Sequence, residues 1–195
     1  MSKNKGIGAG GSKTNLNGLV FEEKTSIENK LLKDNYTKHI LNKTKYGYYF
    51  EKYINNTKFI YFKQYGFKCY FKKMFNIDCY KCPDEAFLII NNNNNNYYLK
   101  ILEKKNQNVE GSVEEKLKTG NFNKREIYKM ININKDYIFD VSYAFCLSLF
   151  LQNKLESNTK KYNIIKEIMN EDNIKIFYGE TDKYFDNLYE WINEK

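Results

Sequence analysis

The chain has 195 residues, 32 Lys+Arg against 24 Asp+Glu, a net charge of +8 at pH 7 and four cysteines, a size that fits one domain. No run approaches the roughly 18 consecutive apolar residues of a membrane span, and no apolar signal-peptide core opens the chain. Cys69, Cys79, Cys82 and Cys146 are too few for a disulfide scaffold of this length, so the sequence predicts a soluble intracellular protein, cytoplasmic or nuclear, without a membrane partner. The positive balance suits a polyanion, nucleic acid first, although lysine also simply solvates a surface.

Residues 1–15, MSKNKGIGAGGSKTN, are Gly-, Ser- and Lys-rich without apolar periodicity and read as a flexible basic arm ahead of a single domain over 16–195. A phosphate-binding loop starting at Gly6 would need Lys at position 12, where Ser12 stands, and no strand precedes it. Over 18–33, Val20, Ile27, Leu31 and Leu32 are spaced for one amphipathic helix, with Glu22 and Glu23 in its first turn, where the helix dipole favours carboxylates. Between Tyr46 and Phe75 the runs YGYYFEKYI, KFIYFKQ and GFKCYFKKMF read as a meander of strands. Their interleaved aromatics and lysines suit the faces of a sheet better than a base-stacking platform. Cys79 and Cys82 form a lone CxxC, with Cys69 ten residues earlier; free thiols packed among strands are favoured over zinc.

EAFLII (85–90) and YYLKILEKK (97–105) flank six consecutive asparagines, Asn91 to Asn96, which marks a hairpin. If Asn91 pairs with Asn96, Asp84 falls opposite Glu103, and the strand period of two puts Lys105 and Gln107 on the same side. Ala86, Leu88, Ile90, Tyr97, Leu99 and Ile101 share that face, so two carboxylates and a lysine would cluster at the end of an otherwise apolar surface. That is either an ion cluster or a site that a cation or substrate completes. SVEEKLKTG (112–120) reads as a short helix capped by Ser112 and Glu115 and closed by Gly120. VSYAFCLSLFLQN (141–153) is apolar nearly all round and reads as a buried helix, its Leu147, Leu149, Phe150 and Leu151 as core. A helix over 159–171, a strand over 173–179 and a helix over 181–193 complete a mixed α/β order. The single His39 argues against histidine-based chemistry.

Pro83-Asp84, then 18 residues, then Glu103-Lys104-Lys105 resembles the PD-(D/E)XK signature of restriction-endonuclease-like nucleases in its Glu-x-Lys form. Gln107, the hairpin context and a preceding helix with Phe21-Glu22 extend the likeness, and EKKNQNVEGSVEEKL and NLNGLVFEEKT are similar to type II restriction enzymes. The resemblance implies an α/β restriction-endonuclease-like core, a mixed central sheet flanked by helices. It implies Asp84 and Glu103 as ligands of Mg²⁺, with Mn²⁺ able to substitute, and Glu22 or its competitor Glu23 as a further ligand. Lys105 would position the attacking water and offset transition-state charge, and Gln107 would hold a phosphate or the water. The expected partner is double-stranded DNA, met as a homodimer where two strands are cut, in restriction or in repair and recombination. The rival from another class is a DNA- or RNA-binding protein without catalysis.

Overall fold

A computed structural model describes residues 12–91, 96–107, 113–134 and 136–194. The arm expected over 1–15 falls largely outside these residues, as do Ser112, the expected helix cap, and Asn92 to Asn95 of the hairpin turn. Among the described residues the elements run α1 (Ser12–Lys24), α2 (Glu28–Lys33), β1 (Thr37–Ile40), β2 (Tyr48–Ile54), β3 (Thr57–Lys63), α3 (Gln64–Phe75), β4 (Glu85–Asn91), β5 (Asn96–Lys105), α4 (Val113–Leu117), α5 (Gly120–Ile131), β6 (Phe139–Leu147), α6 (Leu149–Glu156), α7 (Lys160–Glu171), β7 (Ile174–Tyr178) and α8 (Tyr184–Asn193). The seven strands lie in one sheet in sequence order. β1 to β5 are antiparallel, whereas β5, β6 and β7 are parallel. No described helix is long and apolar enough to cross a membrane.

The fold is therefore α/β with a mixed sheet covered on both faces. One face packs Phe62, Leu88, Ile101 and Tyr143 against Phe71 of α3, Ile127 of α5 and Ile165 of α7. The other packs Tyr61, Phe87, Leu102 and Phe177 against Phe21, Leu31 and Leu188 of α1, α2 and α8. The hairpin has the expected register, Asn91 opposite Asn96 and Glu85 opposite Leu102. Ala86, Leu88, Leu99 and Ile101 of the predicted apolar face are completely buried.

Four sequence expectations are corrected. GFKCYFKKMF is helix α3, not a strand: Phe67, Tyr70, Phe71 and Phe75 are buried on one side, a helical spacing that outweighs their strand propensity. Gly66 permits this packing, since a Cβ there would lie 2.2 Å from the Tyr48 carbonyl oxygen. The helix expected over 18–33 is two helices, because the Thr25 hydroxyl donates to the Phe21 carbonyl at 2.7 Å and the chain turns there. Glu22 and Glu23 consequently sit in the last turn of α1 rather than the first, while Val20 and Leu32 are exposed. Residues 141–153 are not one helix but the end of β6 followed by α6; a central strand buried on both faces shows no period that separates it from a buried helix. Leu149 in that run is exposed, unlike Leu147 and Leu151. Finally, Gly120 opens α5 instead of closing a helix.

Candidate active site

β4 begins directly after Pro83-Asp84, and the antiparallel register carries Asp84 to the C-terminal end of β5. There the Asp84 Oδ2 accepts the backbone N–H of Lys104 at 2.8 Å. Glu103 and Lys105 stand two residues apart on one face of β5, joined by a 2.8 Å contact between Lys105 Nζ and Glu103 Oε2. The Glu103 and Lys105 side chains are 14% and 17% exposed. Burial raises the Glu103 carboxyl above its ordinary range, nearby Asp84 raises it further, and Lys105 opposes both.

Helix α1 closes the site from the other side. Glu22 is half-buried, and its carboxyl is raised first by burial and then by Asp84, so Asp84 sits within electrostatic reach of both glutamates. Glu23 is exposed. A cleft of about 260 Å³ is lined by Phe21, Glu22, Asp84, Lys105, Asn106 and Lys116, among others. Glu103 is not in the lining, but its ion-pair partner Lys105 is. Gln107 is not in the lining; it is 7% exposed, and its backbone N–H and carbonyl are held by the Ser148 hydroxyl at 3.2 and 3.0 Å. Among the described residues no three His, Cys, Asp or Glu side chains are gathered as a ready metal cage, the cysteines included. Cys69 lies on α3, and Cys79 and Cys82 lie in the loop before Asp84 rather than among strands; all are free thiols.

Two larger clefts lie elsewhere. One of about 740 Å³ sits at the hairpin end of the sheet beside Tyr97 and Tyr137, and one of about 320 Å³ is bordered by Asp34 and Tyr189. Size does not select the site; the electrostatic reach of Asp84 to Glu22 on one side and to the Glu103–Lys105 pair on the other does.

Two groups escaped the sequence reading. Tyr143 on β6 is buried, and its hydroxyl is raised far above the tyrosine range by burial and then by Glu103. No spacing in the sequence links those two residues. Lys104 faces away from Glu103, bonding Glu85 Oε1 at 2.7 Å and the Glu22 carbonyl at 3.1 Å. Its signal was present, because Lys100 and Lys104 alternate with apolar residues on the reverse face of β5. Set against known proteins, the chain matches no family model, no curated protein and no solved structure.

Proposed function

We propose that the chain is a Mg²⁺-dependent endodeoxyribonuclease of the PD-(D/E)XK, restriction-endonuclease-like kind, hydrolysing DNA phosphodiester bonds. The observation that carries this reading is the register of the hairpin. With Glu85 opposite Leu102, Asp84 reaches the end of β5, where it accepts the Lys104 N–H and lines a cleft together with Lys105, next to Glu103 as the Pro-Asp…Glu-x-Lys resemblance implies.

The donor set fits a hard divalent cation. Asp84 raises both Glu22 and Glu103, a like-charge crowding that a cation would relieve. Mg²⁺ needs only one or two protein carboxylates and keeps its remaining waters, so Asp84 and Glu103 suffice as direct ligands, with Glu22 contributing from α1. A bound Mg²⁺, or Mn²⁺ in its place, supplies Lewis acidity toward the phosphate. Lys105 orients the attacking water and offsets the charge that develops on the phosphoryl oxygens. Asn106 and Lys116 border the same cleft and are placed to hold the backbone of the substrate. Gln107, buried against Ser148, anchors the end of β5 in this reading rather than touching phosphate.

The test is incubation of the purified protein with plasmid DNA, with Mg²⁺ and with a chelator, beside the Glu103→Gln variant. Mg²⁺-dependent cutting that falls by about two to three orders of magnitude in the variant supports the reading. Discrete bands would assign a sequence-reading restriction enzyme, and a smear would assign a repair or recombination role. Retarded but intact DNA in every lane, weakened steeply by salt, would replace the enzyme with a non-catalytic binder.

A further inference from the structure

Lys104 borders the cleft together with Glu22, Asp84 and Lys105, yet its ammonium is turned away from the opening, into the core beneath α1. Its backbone N–H holds the Asp84 carboxylate, while its ammonium holds the Glu22 carbonyl and Glu85. The Lys104 and Glu85 side chains are 1% and 0% exposed. Glu22 lies in the last turn of α1, where carbonyl oxygens lack a partner further along the helix and a cation meets the negative end of the helix dipole. The four-carbon stem of lysine spans the gap from strand to helix, and Glu85 fixes the ammonium from the opposite side.

We infer that Lys104 is the positioning residue of this site: it locks the last turn of α1 to the hairpin and so sets where the Glu22 carboxylate stands relative to Asp84. The catalytic consequence rests on the nuclease reading; the locking of α1 does not. Phe21 packs the same turn into the core, but the other polar ties between α1 and the molecule act elsewhere. Asn106 Nδ2 reaches the Asn17 carbonyl, Lys24 pairs with Glu180 at the surface, with side chains 60% and 29% exposed, and the Tyr184 hydroxyl donates to the carbonyl of Thr25, beyond the helix end. Lys104 instead bonds the Glu22 carbonyl directly.

A purely structural pair and a positioning pair respond differently when both members are replaced by apolar residues of similar volume. Such a replacement commonly restores stability, but it cannot restore the bond to the Glu22 carbonyl. The experiment compares Lys104→Met with the double variant Lys104→Met/Glu85→Leu. Melting temperature, amide hydrogen exchange over residues 12–24 and cleavage as a function of Mg²⁺ concentration are read in each. The single variant is expected to melt lower. The double variant is expected to regain a melting temperature near that of the wild type while exchange in α1 stays faster, cleavage stays about tenfold to a hundredfold lower and the half-saturating Mg²⁺ concentration rises. Wild-type cleavage, or wild-type protection of α1, in the double variant would overturn the inference. If the unaltered protein cuts no DNA, the nuclease reading fails by itself, and hydrogen exchange in α1 alone then decides whether Lys104 locks the helix.

Discussion

A lysine of β5 pairs with a glutamate on each face of the sheet, Lys104 with Glu85 of β4 and Lys105 with Glu103 of its own strand, and the two pairs live in different surroundings. Lys104–Glu85 is sealed beneath α1, whereas Lys105–Glu103 is partly exposed in both members and its lysine lines the cleft. A sealed pair cannot exchange partners without leaving a bare charge in apolar surroundings. A pair at a rim can give its carboxylate to a cation and its ammonium to a phosphate. Identical chemistry one residue apart is thus divided between holding the fold and facing a substrate, and the division follows from nothing more than the alternation of a strand.

The widest separation between the faces is expected from Lys104→Ala, which strands Glu85 in the core and should cost about 3–5 kcal/mol in denaturant unfolding. A loss under about 1 kcal/mol would erase the contrast. Next comes Gly179→Ala. A Cβ there would lie 2.6 Å from Thr25 Cγ2 and 2.7 Å from Cys146 Sγ, crowding the joint between α1 and β6 at about 1–3 kcal/mol; an unchanged melting temperature would show that the neighbours give way.

The open pair should behave in the opposite sense. Because the Glu103 carboxyl is held above its unfolded value of 4.5, the folded state loses stability as pH rises through the ordinary carboxylate range and the raised folded pKa. Glu103→Gln is therefore expected to raise the melting temperature at neutral pH, with the gain vanishing in acid below the unfolded value. Lower melting of that variant at pH 7 would mean that Lys105 outweighs burial. The smallest effect belongs to a pair fully at the surface, Lys175–Glu194, with side chains 49% and 52% exposed. Lys175→Ala should cost about 0–1 kcal/mol, and less in high salt.

The hairpin was legible because antiparallel register is arithmetic: once Asn91 meets Asn96, Glu85 meets Leu102 and Asp84 is carried to the end of β5. α7, β7 and α8 were legible from period and breakers. α3 was misread because Phe and Tyr weight a segment toward strand, although the helical spacing of Phe67, Tyr70 and Phe71 was there to be counted. β6 was illegible in principle, since a strand covered on both faces loses the alternation that identifies strands. The break between α1 and α2 depends on the Thr25 hydroxyl and on Tyr184, which donates to the Thr25 carbonyl from across the chain. No local pattern encodes such a contact, and it moved Glu22 from the first turn of a helix to the last.

β5 is also the seam where the antiparallel and parallel halves of the sheet meet, and this gives the molecule an order of assembly. The β2–β3 and β4–β5 pairs close through short connections, β3 reaches β4 through α3, and β6 returns to β5 only after the longer crossover through α4 and α5, so loop closure delays it. We expect amides of β4 and β5 to gain protection before those of β6 in pulse-labelled refolding; simultaneous protection would contradict this. Until β6 arrives, the strand bearing Glu103 and Lys105 is an open edge able to pair with another chain. Refolding yield should then fall with protein concentration, a vulnerability in time that the finished structure conceals.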